Sequence, residues 1–232
     1  MASDGVEARS PAGIGRAIRE IVETIVLAAI IFVAVRAVVL NFKVDGPSTL
    51  PSLIDREMPL VDRNVYFHFD QNDPRNLLPG EDREGEDIVY PFHLPERGAI
   101  IVFDPPPPPA ATEPVGVSTS RPSGQPYMKR VIDRPEDIVH IRKGNVYGND
   151  TPLDEPNLDG DITECTTDPF CGPFLVLDRT VFVLGDNRDN STGSRAFGPV
   201  PVDDIIGEAR LTYWPRNVFG LVPDPNYPEP AR

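Results

Sequence analysis

Residues Ile21 to Leu40 read IVETIVLAAIIFVAVRAVVL, a run in which only Glu23 and Arg36 carry charge. No other stretch limits the folding choices of this chain as strongly. At a rise of about 1.5 Å per residue, a helix of this length crosses a hydrocarbon core of about 30 Å. Both charges lie near the ends, where long side chains can reach the head groups. A buried amphipathic helix is the competing reading, because the uncharged part, Thr24–Val35, is short for a span. After Leu40 there is no small-x-small cleavage site followed by a polar mature start, so an uncleaved single-pass anchor over 21–40 is expected.

The run also divides the composition. Residues 1–40 hold four acidic and four basic groups, so the net charge of −14 belongs to residues 41–232. Of 28 prolines, only Pro11 precedes residue 41. Proline lacks the N–H that a helix interior needs, so the outer part is not mainly helical. Its acidic balance disfavours nucleic acid, whose phosphates are bound by clustered Lys and Arg.

From Asn41 onward short β-rich runs alternate with turn clusters, which predicts a mainly β, antiparallel domain over 41–222. Expected strands are Phe42–Val44, Ala99–Phe103, Tyr127–Ile132, Asp137–Ile141, Val146–Tyr147, Thr180–Leu184 and Ile205–Tyr213. Two irregular insertions interrupt them, an acidic one over 70–98 and one over 104–126 that opens with five prolines. Residues 223–232 read as a flexible tail. Cys165 and Cys171 are too few for a structural zinc site and suit a small disulfide worth about 2 kcal/mol, with two free thiols as the alternative. A disulfide persists only in an oxidising compartment, which together with the anchor favours an external location for the residues after 40. Arg9, Arg16 and Arg19 before the run against Lys43 and Arg56 after it decide little about orientation.

Three segments carry candidate chemistry. Gly46-Pro47-Ser48-Thr49-Leu50-Pro51-Ser52-Leu53 places Ser48 in an enforced turn, where a hydroxyl is presented beside its own backbone N–H. Taken alone, such a serine is usually an ordinary turn residue. A serine nucleophile needs a base, and the three histidines are poorly placed: His68 and His93 lie in or beside the acidic insertion and His140 in an expected hairpin strand. A neutral lysine serves instead when burial lowers its pKa from about 10.4. Of Lys43, Lys129 and Lys143, Lys129 is the candidate. Alternation along Tyr127-Met128-Lys129-Arg130-Val131-Ile132 puts Tyr127, Lys129 and Val131 on one face and Arg130 on the other. On spacing alone, a solvated Lys-Arg pair is the more ordinary reading. The third segment, Gly185-Asp186-Asn187-Arg188-Asp189-Asn190-Ser191-Thr192-Gly193-Ser194-Arg195, is dense in groups that form side-chain-to-backbone bonds. It reads as a rigid platform on which Ser191 can orient a lysine amine.

In this order the segments resemble those of bacterial type I signal peptidases, membrane-anchored Ser/Lys proteases that remove signal peptides from exported proteins. That family carries an anchor, a segment S-M-x-P-T/S-L, a strand with K-R-V, then G-D-N-R-D-N-S-x-D-S-R with F-G nearby. The counterparts here are Ser48 to Leu53, Lys129-Arg130-Val131 and Gly185 to Arg195 followed by Phe197-Gly198, within residues 21–214. The resemblance implies Ser48 as nucleophile, Lys129 as general base and Ser191 as the residue that orients the amine. Asp186, Asn187, Arg188 and Arg195 follow as supporting residues, and the Ser48 N–H as oxyanion donor. Some members add a hydroxyl two residues before the nucleophile, where this chain has Gly46. The implied substrates are exported preproteins with small residues at −1 and −3, bound as an extended strand. The lipid bilayer and the export machinery are the other implied partners, and no cofactor or metal is required. The implied location is the plasma membrane, with residues 1–20 cytoplasmic and the catalytic domain outside. The family fold is a mostly antiparallel β domain with a small inserted cap, 142–179 here, where related enzymes often carry a disulfide and where Cys165 and Cys171 fall.

Two positions depart from the pattern. Thr49 stands for a methionine, which removes apolar packing, and Gly193 for an aspartate, which leaves Arg195 without its usual partner. Lowered stability or altered specificity is expected from both. A weakened paralogue, a membrane-anchored β-domain scaffold and a specialised peptidase with few substrates are the alternatives. A self-cleaving repressor-type Ser/Lys protease is opposed by the anchor and the acidic charge.

Overall fold

The computed structural model describes residues 11–66, 69–70, 88–89, 94–105, 125–158, 160, 162–165, 170–225 and 227. His68, His93 and most of the two expected insertions, 70–98 and 104–126, lie outside the described residues. The chain divides into two units, Met1–Val39 and Leu40–Arg232.

The first unit is helix α1, Pro11–Val38. It begins earlier than the apolar run because Arg16 to Glu23 are sound helix formers, with Arg19 Nε bonded one turn on to Glu23 Oε1 at 2.7 Å. These charges make the helix longer and more polar than the expected anchor. Among the described residues no helix is long and apolar enough to cross a membrane. The expected span also ends early, since Val39 and Leu40 enter a strand.

The second unit is built on antiparallel strands: β1 Val39–Asn41, β2 Met58–Asp62, β3 Phe69–Asp70, β4 Ile88–Val89, β5 Ile100–Phe103, β6 Tyr127–Asp133, β7 Ile138–Arg142, β8 Asn145–Gly148, β9 Thr151–Pro152, β10 Phe174–Leu175, β11 Thr180–Leu184, β12 Val200–Pro201, β13 Ile205–Trp214 and β14 Gly220–Leu221. The main sheet runs β1-β2-β13-β5-β6-β11-β12, with β14 on β13. A second sheet, β10-β7-β8-β9, begins at Ile138 and takes in part of the region expected as a cap, 142–179. The first expected strand, Phe42–Val44, is displaced: β1 ends at Asn41, although Phe42 and Val44 still donate to the Pro59 and Glu57 carbonyls.

Apolar packing on both faces of the central strands explains why β5 reads Ile-Ile-Val-Phe without polar alternation. Ile100 and Val102 join Val44, Leu53, Val61 and Met128 on one face, while Ile101 and Phe103 join Val131, Val181 and Val183 on the other. A third cluster closes the second sheet onto the main one, with Ile132, Phe182 and Leu184 against Val139, Ile141 and Val146.

At the β6–β7 junction, Arg97 binds both Asp133 and Asp137, the latter at 2.9 Å. Burial pushes the Asp133 carboxyl up to about 7 against the pull of Arg97, and Asp137 adds to the rise. A carboxyl raised on folding holds its proton in the native state above its unfolded pKa, so the stability it contributes is fully present below the unfolded value and is lost as pH rises through the folded one. The melting temperature is expected to drop by several degrees between about pH 5 and pH 8, and by less in Asp133→Asn. An equal drop in both proteins would refute the assignment.

Candidate active site

Ser48 occupies the turn between β1 and β2, in which Leu50 N–H donates to Pro47 O at 3.2 Å and Leu53 N–H to Thr49 O at 2.9 Å. Gly46 has φ +89° and donates its N–H to Asp55 Oδ1 at 3.0 Å. A side chain there would be strained, so the turn favours glycine at the position where some members of the family add a hydroxyl. Thr49 is 2% exposed and its hydroxyl donates to Leu53 O at 3.3 Å. The polar group that replaces methionine is therefore satisfied inside the turn.

Lys129 is 4% exposed, and its Nζ donates to Ser191 Oγ at 2.7 Å. The amine also lies 5.6 Å from the centre of the Tyr127 ring. Gly185 shows how close Ser191 and the Ser48 turn approach one another. A Cβ added at Gly185 would stand 2.0 Å from Ser191 Oγ and 2.5 Å from the Ser48 carbonyl oxygen. Asn187 N–H donates to that same carbonyl at 3.3 Å. The structure thus gathers Ser191 and the Ser48 turn around one glycine, with the Lys129 amine on Ser191. A cleft of about 290 Å³ opens beside Ser48 and Thr49, with Phe42, Val44, Val102 and Met128 among its apolar walls.

The last motif is held by buried ion pairs. Arg130 is 1% exposed, so the solvated Lys-Arg pair that spacing alone favoured is not what forms. Its guanidinium meets Asp186 at 2.8 and 2.7 Å in a two-pronged contact, and also binds Ser52 Oγ at 2.9 Å. Arg188 binds Glu155 and Thr163, and its Nε donates to Gly185 O at 3.0 Å. Asn187 Oδ1 accepts from Asn190 N–H at 3.1 Å. Arg195 is not left unsatisfied by Gly193: it donates to the backbone oxygens of Arg188 at 2.7 Å, Ser191 at 3.1 Å and Glu164. Backbone carbonyls, two of them from its own loop, replace the missing aspartate. His140 lies in the second sheet beside Tyr147, 4.9 Å between rings.

Gly193 itself admits no side chain without rearrangement. A Cβ would lie 2.8 Å from Val183 O and 3.1 Å from Leu184 Cδ2. Gly193→Asp, which restores the family residue, is expected to destabilise by about 1–3 kcal/mol through overpacking. Urea unfolding checks this, and a stabilised variant would contradict it.

Glu155, Asn157 and Thr163 escape a reading of the sequence, because no local pattern marks residues whose role is to complete buried ion pairs, and Ser52 is marked there only as part of the Ser48 motif. Cys165 and Cys171 are joined as a disulfide, Cα atoms 5.6 Å apart.

The profile of the family described as signal peptidase, peptidase S26, matches residues 18–214. A signal peptidase I of Leptolyngbya laminosa is 39% identical over 144 residues, 61% of this chain and 64% of that protein. A probable signal peptidase I-2 of Synechocystis is 36% identical over 141 residues, 60% of this chain and 57% of that one. The chain thus spans less than two thirds of the length of these two relatives. A probable signal peptidase I-1 of Synechocystis is 31% identical over 189 residues, 80% of each chain. With its profile match covering most of its length, the chain belongs to the signal peptidase family, peptidase S26.

Proposed function

We propose that this protein is a type I signal peptidase that cuts exported preproteins after a small −1 residue by a Ser48/Lys129 mechanism. The observation that carries the reading is the buried bond from Lys129 Nζ to Ser191 Oγ, made where Gly185 also touches the Ser48 turn. In this reading Ser48 Oγ attacks the carbonyl after the −1 residue while Lys129 takes its proton. The amine must be neutral to do so, and burial favours that form. The Ser48 N–H stabilises the oxyanion. The lysine returns its proton to the leaving amine of the mature protein, and an acyl-enzyme remains. Water, deprotonated by Lys129, then releases the signal peptide from Ser48. Ser191 holds the amine in line throughout. The cleft beside Ser48, with Phe42, Val44 and Met128 on its walls, suits the short apolar side chains of an extended peptide.

Membrane attachment through α1 and an external catalytic domain belong to the same proposal. The large apolar side chains of α1 from Ile21 to Val35 each keep more than half of their surface exposed, an apolar load that hydrocarbon accepts and water does not. The disulfide agrees with an oxidising compartment.

The test is cleavage of a preprotein with alanine at −1 and −3 by the full chain in detergent, with the product's N-terminus sequenced. One cut after the −1 alanine is expected, and phenylalanine at −3 should stop it. A precursor left intact, or cut regardless of the −3 residue, would refute the reading.

A further inference from the structure

Of the segment expected to be a flexible tail, 223–232, the described residues Pro223 and Tyr227 are bonded to the domain. Arg130 Nη1 donates to Pro223 O at 3.0 Å, and Tyr227 is 8% exposed, packed among residues of the second sheet. Its phenol donates to Asn157 Oδ1 at 2.9 Å, with Glu155 Oε1 at 3.4 Å. Both partners already serve the candidate site. Asn157 Nδ2 donates to Asp186 Oδ1 at 3.0 Å, and Asp186 holds Arg130, which reaches Ser52 in the Ser48 turn. Glu155 holds Arg188, which grips the Gly185 carbonyl. Tyr227 lies beyond the residues that the family profile matches, 18–214.

We infer that Tyr227 is a positioning residue: through Asn157 it completes the buried Arg130–Asp186 ion pair that holds the Gly185–Ser191 loop against the Ser48 turn. The inference rests on the peptidase reading above. Its physical basis is that a buried ion pair is worth little unless its remaining hydrogen-bonding capacity is met. The Asn157 amide can serve Asp186 with its nitrogen only in the orientation that turns its oxygen to the phenol. Burial, and then the negative charge of Glu155, raise the Tyr227 pKa, so the phenol stays a donor over the working range of pH.

The experiment compares the full chain in detergent with Tyr227→Phe, Asn157→Ala and the double variant. Phenylalanine keeps the ring in the core and removes only the hydroxyl. A fall in kcat of about tenfold is expected for Tyr227→Phe, with KM within about twofold. The double variant should be no slower than Asn157→Ala, because the phenol acts through that amide. Backbone amide exchange at Asn187 and Asn190, whose N–H groups bond within the site, should quicken in Tyr227→Phe. Wild-type kcat and wild-type exchange in Tyr227→Phe would overturn the inference and leave the peptidase reading standing. If the wild-type chain cuts no preprotein, that reading fails instead, and exchange at Asn187 and Asn190 still decides whether Tyr227 holds the loop.

Discussion

Lys129→Met is expected to slow preprotein cleavage about a thousandfold while the protein still folds, because the only step lost is proton transfer. Methionine is close to lysine in length, and Lys129 is 4% exposed, so the apolar substitute meets walls that already exclude water. Lys129→Arg sharpens the result. Arginine keeps a positive charge at the same place yet cannot give up a proton, so it should be as inactive as methionine if the lysine acts as a base. If Lys129 served only as a fixed positive charge, arginine would preserve much of the rate. Processing rates at saturating substrate, with circular dichroism to verify folding, separate the two cases. Retention of more than about a tenth of the wild-type rate by Lys129→Met would defeat the assignment, since general-base loss costs at least about a hundredfold.

Gly185→Ala is expected to be nearly as damaging although it adds only a methyl group. That carbon would stand 2.0 Å from Ser191 Oγ and 2.5 Å from both Ser191 Cβ and the Ser48 carbonyl oxygen. None of the three is the far end of a long flexible side chain, so the loop, the Ser48 turn or both must move. Overpacking of this kind costs about 1–3 kcal/mol of stability. The larger consequence is geometric. The 2.7 Å bond from Lys129 to Ser191 and the approach to Ser48 are set by these contacts, and a displacement of about 1 Å costs on the order of a hundredfold in rate. The cleft walls at Phe42, Val44 and Val102 are untouched, so the loss should fall on kcat more than on KM. A variant within about threefold of the wild-type kcat would show that the close approach around Gly185 is not needed for turnover.

Much of the main sheet is legible in the sequence because its strands obey local rules. Thr180–Leu184 is the strand the sequence predicts, and the runs at Ile100, Tyr127 and Ile205 differ from expectation by a residue or so. Met58–Asp62 is a strand that local pattern does not predict. Its sequence, Met-Pro-Leu-Val-Asp, contains a proline and has little local β character, and it is a strand because β13 pairs with it from Glu208 to Trp214. The helix boundary shows the reverse limit. Apolarity predicts 21–40, but charged residues from Arg16 onward extend a helix as readily as apolar ones, while Val39 and Leu40 are drawn into β1.

The site divides in the same way. Motif order singles out Ser48, Lys129 and Ser191, since a turn serine, a lysine on a buried strand and a polar loop each have a local signature. Nothing local predicts that Arg130 is 1% exposed, or that Arg195 is satisfied by three backbone carbonyls after the loss of an aspartate partner. What the sequence determined by itself was the class of fold, the acidic and proline-rich character of the outer part, and the three segments to which the proposed chemistry is assigned. Tertiary structure alone decided how those segments meet and what secures them: Gly185 between Ser191 and Ser48, Asp186 under Arg130, and Tyr227 on Asn157. The reason is physical. Periodicity and turn chemistry act between neighbours in the chain, whereas a buried charge is satisfied by whatever partner the fold brings within about 3 Å, and that partner can lie anywhere in the sequence.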